Sequence, residues 1–231
     1  MDQDSWSSFE PSLKSFLGGL KAKEVQKQVW TTQAPASFEG FVTESGLGHV
    51  IQGVKLSDLG YTPHGSISII SNLLRRGYIW DEVRLKGNAY GGGCGFDLQS
   101  GVFRLRSWRD PNIPHTLKVF NSLPDYLRSI KISDEDIKKA IVAAIGEMDA
   151  PDLPPAEARQ SFARYMAHIS TEDRQKWRDE ILNTSIKHFH ELGEILEGMK
   201  DKSQLVMCGP KASLEEANEA LGGKLVISKM L

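Results

Sequence analysis

A chain of 231 residues is long enough to bury one large core or two small ones. Its 40% hydrophobic and 25% charged residues describe an ordinary folded protein, and a net charge of -2 gives no basic stripe for nucleic acid. No apolar run approaches the roughly 20 residues that cross a bilayer, and the polar opening Met1-Asp2-Gln3-Asp4-Ser5 is no signal peptide, so neither nucleic acid nor membrane is expected as a partner.

In chain order, Trp6, Phe9, Leu13, Phe16 and Leu20 recur at three- and four-residue steps. That spacing predicts a helix over 6–20, weakened by Gly18-Gly19, whose apolar stripe needs something to cover. Val25 to Thr31 and Phe38 to Leu56 are rich in β-branched residues and broken by glycines. They read as two or three strands with turns near Ala34-Pro35 and Ser45-Gly46. Ser66 to Lys86 places Ile67, Ile70, Leu74, Tyr78 and Val83 at near-helical steps between Gly65 and Gly87, which predicts one helix with Arg84 in its last turn. Residues 89–98 and 101–109 form a hairpin signal around Gln99-Ser100-Gly101, and Phe103 and Leu105 alternate with Arg104 and Arg106.

From Pro114 the pattern turns helical, with candidates at 115–129, 133–147, 155–168, 171–183 and 185–199 and N-caps at Ser133, Thr171 and Ser185. Leu205 to Cys208 reads as a short buried strand, Leu214 to Leu221 as a last helix and Lys224 to Ser228 as a final strand. A strand-rich part, 1–112, followed by a helix-rich part, 113–231, implies an α+β fold: an antiparallel sheet with helices packed on one face.

The chemistry is sparse. Cys94 and Cys208 are too few for a disulfide framework or a cysteine zinc site and are expected to be free thiols. Six histidines form no recognised ligand pair; in His188-Phe189-His190-Glu191 the two-residue spacing sends the imidazoles to different faces of a helix. No metal ligands are therefore assigned. No Gly-x-Ser-x-Gly elbow occurs. Gly91-Gly92-Gly93 follows a helix and enters a hairpin, the reverse of a phosphate loop. Two readings stay open: a plain strand start, or a backbone edge where a peptide adds as a strand. Arg84, with its fork of donors, and Tyr90, with its phenol, flank the approach to these glycines and suit a carbonyl that becomes an oxyanion. Each is also ordinary as a surface residue, and no group nearby breaks a bond.

The string Trp80-Asp81-Glu82-Val83-Arg84-Leu85-Lys86-Gly87-Asn88-Ala89-Tyr90-Gly91-Gly92-Gly93, with Gly101-Val102-Phe103 and Ser107-Trp108-Arg109-Asp110-Pro111-Asn112, resembles the last domain of the presequence-protease branch of the pitrilysin/insulinase zinc metallopeptidases. Glu39-Gly40-Phe41-Val42, Leu59-Gly60-Tyr61, Ile145-Gly146-Glu147-Met148-Asp149 and Glu172-Asp173-Arg174-Gln175-Lys176 extend the likeness in the same order.

The resemblance implies a C-terminal domain spanning 1–231 within an enzyme whose four related α+β domains close a chamber around short unfolded peptides. The zinc, absent from this chain, would sit in the N-terminal half, which becomes the expected partner along with the peptides. Arg84 and Tyr90 would touch the substrate carbonyl, and Gly91, Gly92 and Gly93 would bind the peptide. The alternative is a separate noncatalytic subunit, or a peptide-binding module, that closes a chamber with a zinc-bearing partner. The implied location is an organelle lumen, mitochondrial or plastid, or a bacterial cytoplasm. Asn88 stands where the family has glycine, Cys94 where it has a small residue and Trp108 where it has tyrosine. The family domain also opens with a strand that this chain lacks, so an unpaired sheet edge is expected.

Overall fold

The computed structural model describes residues 2–20, 28–29, 31 and 37–229. It divides into two compact units: one from residues 1–35 and 151–163, the other from 36–150 and 164–231. The strand expected at Val25 to Thr31 and the turn at Ala34-Pro35 lie largely outside the described residues.

In the first unit α1 (Gln3–Gly19) starts where Asp2 Oδ1 accepts the Ser5 N–H at 2.7 Å, a side-chain N-cap that satisfies one orphan helix donor. Its apolar stripe stays open, with Phe16 65% and Leu20 58% exposed. Most of α5 (Pro154–Met166) also belongs to this unit.

The second unit carries one six-stranded sheet. Its strands are β1 (Phe38–Val42), β2 (Gly48–Lys55), β3 (Gly91–Asp97), β4 (Val102–Asp110), β5 (Gln204–Gly209) and β6 (Val226–Lys229), in the order β3-β4-β2-β5-β1-β6. The α+β expectation holds, with one difference in the sheet. Strands β3, β4, β2 and β5 are antiparallel neighbours, but β1 lies parallel to both β5 and β6, so the sheet is mixed. The parallel part follows from long returns: helical crossovers bring β5 and β6 back beside β1, and such connections suit parallel pairing.

Burial alternates along the strands. Val50, Gln52 and Val54 of β2 and Phe103 and Leu105 of β4 face the helices, while Ile51, Lys55, Arg104 and Arg106 are exposed. Helices therefore cover one face. They include α2 (Ser66–Arg76), α3 (Ile113–Ser129), α7 (Ile186–Leu196) and α9 (Lys211–Ala220), whose Ile67, Ile70, Leu123, Phe189 and Leu214 meet the strands in one buried core. α4 (Asp134–Met148) and α6 (Thr171–Leu182) pack outside this layer, and the short α8 (Met199–Lys202) leads into β5. Ser133 caps α4 as expected, but α6 is capped by Ser170 in a capping box with Asp173, one residue before the expected Thr171.

The single helix expected over Ser66 to Lys86 is two. α2 ends at Gly77, whose N–H still reaches the Leu73 carbonyl at 2.9 Å while its φ and ψ of -112° and -99° leave the helical region. The chain then rewinds as a π-helical segment over Trp80–Lys86. Periodicity missed the break because both pieces lay apolar residues, Leu74 and then Ile79 and Val83, on the same core.

Candidate functional site

The π-helical segment sets the position of Arg84. Its wider ring is closed by the Gly87 N–H donating to the Glu82 carbonyl at 3.0 Å, and the Ala89 N–H then reaches back to the Val83 carbonyl at 3.2 Å. Such widened turns are rare and recur at functional sites. Val83 is fully buried and faces β3, so Arg84, one residue on, is turned outward. His115 of α3 locks the segment from below, its Nε2 2.9 Å from the Glu82 carbonyl oxygen.

Asn88 then takes φ of 60° and turns the chain into β3. Asparagine tolerates this left-handed conformation better than most side chains. Tyr90 follows, tied by its N–H to the Arg109 carbonyl at 3.1 Å, with its ring 61% exposed.

Arg84 and Tyr90, named from the sequence, therefore come together. The Arg84 guanidinium carbon lies 4.1 Å from the Trp80 ring centroid and 5.9 Å from that of Tyr90. Two further members were missed. Trp80 sits one turn before Arg84, and that spacing was a usable signal. Arg109 places its guanidinium 5.3 Å from the Tyr90 centroid. Only cross-strand pairing brings it there.

The glycines divide by face. A Cβ at Gly91 would overlap the Trp108 indole, its partner across the β3–β4 ladder. A Cβ at Gly92 would come within 2.9 Å of Ile79 and 3.0 Å of Val83, so the helical layer rests directly on the backbone there. Gly93 has Arg106 Nε at 3.4 Å from the same construction. Close packing thus accounts for the bare backbone at 91 and 92. β3 is an end strand, and among the described residues its outer edge pairs with no other strand.

A buried carboxylate anchors the corner where β4 meets α3. Asp110, 1% exposed, accepts the Ser107 and Thr116 hydroxyls at 2.6 Å each and the Asn112 N–H at 2.8 Å. Three donors satisfy it, so its charge is spent inside the fold.

No group of three histidine, cysteine or acidic side chains that could hold a metal occurs among the described residues. A catalytic zinc therefore does not fit the described donor set. Cys94 donates its thiol to the Ser71 carbonyl at 3.3 Å, and burial pushes its pKa up to about 12, which keeps it protonated and unreactive at neutral pH. No helix among the described residues is long and apolar enough to cross a membrane.

Residues 39–210 match the family described as the PreP C-terminal domain. Presequence protease 1, chloroplastic/mitochondrial, of Arabidopsis thaliana is 32% identical over 231 residues, covering 100% of this chain and 21% of the relative. Protein HypA of Clostridium perfringens is 24% identical over 214 residues, covering 93% and 22% respectively. The chain thus spans about a fifth of the length of these curated relatives. Among solved structures, the peptidase M16 inactive domain from Pseudomonas fluorescens superposes with a TM-score of 0.63 at 15% identity, covering 91% of this chain and 52% of that one. Pitrilysin superposes with a TM-score of 0.62 at 13% identity, covering 99% and 25%. At these identities the structural likeness speaks for the fold.

Proposed function

Because the chain belongs to the PreP C-terminal domain family, a domain type of the pitrilysin-like M16 metallopeptidases, we propose that it is the part of a zinc endopeptidase that positions short unfolded peptides. The observation that carries this reading is the convergence of Arg84 and Tyr90 beside the free edge of β3. An extended peptide adds to such an edge through main-chain hydrogen bonds that depend little on its sequence. Gly91, Gly92 and Gly93 lie on this edge strand and would offer the peptide their backbone groups. The Tyr90 hydroxyl and the Arg84 fork then donate to a peptide carbonyl whose oxygen gains negative charge. The metal chemistry belongs to a separate zinc-bearing half, in the same polypeptide or in a partner subunit.

The test uses the enzyme assembled from this chain and its zinc-bearing half. A donor engaged only near the transition state adds to turnover and little to binding. Tyr90→Phe is therefore expected to lower kcat about 10²- to 10³-fold with KM little changed. A kcat equal to the wild type in folded enzyme would remove Tyr90 from the mechanism.

A further inference from the structure

Arg109 reaches the Tyr90 ring from β4, whereas Arg84 reaches it from the π-helical segment, at 5.3 and 5.9 Å from the same centroid. Among the described residues neither guanidinium has a carboxylate oxygen within 4.0 Å. The acids closest to them in sequence are engaged elsewhere. Glu82 holds Lys86 Nζ at 2.6 Å, and Asp110 gives its oxygens to Ser107, Thr116 and Asn112.

Arg109 also holds φ of 48°, a left-handed conformation that is unfavourable for an arginine. Stacking on the exposed Tyr90 ring offsets that strain only in part. Two guanidinium groups flanking one phenol, neither with a carboxylate partner among the described residues, offer donors to an anion, with Arg109 the one that no peptide carbonyl has claimed. The corner opens beside the β3 edge, where an added peptide runs past it, so the anion that fits is a peptide carboxylate.

We propose that Arg109, together with Arg84, makes this corner a carboxylate receptor that selects peptides carrying an acidic side chain or a C-terminal carboxylate near the strand-addition edge. The proposal rests on the peptide-binding reading above and names its substrate class. Arg109 is its specificity-determining residue.

Three matched fluorogenic peptides test it in the assembled enzyme: a neutral one with Gln and an amidated C terminus, the same with Glu for Gln, and the Gln peptide with a free carboxylate. For Arg109→Gln, KM is expected to rise about fivefold more for a carboxylate peptide than for the neutral one, the size of a single partly exposed ion pair. A selective rise with the Glu peptide assigns the side chain, and one with the free acid assigns the terminus. Arg109→Lys, which keeps the charge, should retain part of the preference, and added salt should erode it in the wild type. Equal shifts across the three peptides, or none, in enzyme that melts normally would overturn the proposal. Tyr90→Phe measured beside it separates the two readings. A wild-type kcat there with the carboxylate preference intact removes the oxyanion role and leaves the receptor standing. A uniform loss of kcat with no carboxylate preference does the reverse.

Discussion

Two regions of the second unit gather polar and titratable side chains, and they differ in what each leaves unsatisfied. In a cleft of about 540 Å³ beside α7, His64 stacks on His188 with centroids 4.8 Å apart and rings 17° from parallel. The Nδ1 of His64 meets the Ser66 hydroxyl at 2.9 Å, that of His188 accepts the Ser185 N–H at 3.0 Å, and Glu180 takes the Gly65 N–H at 2.7 Å. His64, His188 and Glu180 each bond to a near neighbour of the same cleft. At the Tyr90 corner two arginines flank one ring, and among the described residues neither guanidinium has a carboxylate oxygen within 4.0 Å. A self-satisfied cluster stabilises a fold, whereas one with donors to spare is prepared for a ligand.

The contrast breaks first at Arg84. In the assembled enzyme Arg84→Lys should lose about 10²-fold in kcat/KM, nearly as much as Arg84→Ala, because lysine keeps the charge and loses the planar fork. Arg104→Gln, on the exposed face of β4 opposite Gly53 and Gly95, serves as the comparison and should cost less than threefold, within the ±0.5 kcal/mol expected of surface changes. If both variants behave alike, the corner has no privileged role.

A smaller effect separates the corner from its support. Asp110→Ala leaves two hydroxyls and one N–H without their acceptor in a buried place, and should lower unfolding stability by about 3 kcal/mol in denaturant melts. Tyr90→Phe, at an exposed ring, should stay within about 0.5 kcal/mol in the same melts. A large loss at Tyr90 would make it a structural residue like those of the histidine cleft.

The smallest effect belongs to that cleft. Burial, opposed by Glu180 and Glu191 and reinforced by His188 and Lys176, holds the His64 imidazole below its ordinary value of 6.5. The folded state therefore favours neutral His64, and the stability it contributes is present above about pH 6.5 and lost as pH falls towards the lower folded value. Thermal midpoints recorded between pH 7.5 and 5.5 should fall on acidification and fall less in His64→Gln. An identical pH dependence in both proteins would show that His64 stays solvated.

Much of the fold was legible in the residues. The β3–β4 hairpin, α3, α4, α7, β5 and α9 follow the apolar periods and the cap residues closely, since each buries one face and carries its own stop signals. The break at Gly77 was not legible, because a π-helical rewinding preserves the apolar face that periodicity detects. The parallel placement of β1 was equally hidden, since strand order depends on partners more than a hundred residues away.

The candidate site divides along the same line. The sequence by itself determined the family, the residue types at Arg84, Tyr90 and Gly91 to Gly93, and their closeness, since ten residues joined by one turn cannot lie far apart. Only the tertiary structure decided that Arg109 joins them, and that Asp110 is buried and already bonded while Arg109 has no carboxylate within 4.0 Å among the described residues. The physical reason is that a ladder pairs residues by register, whatever their separation in the chain. Local propensity carries no record of which arginine lands beside which ring, or of which carboxylate has already been used.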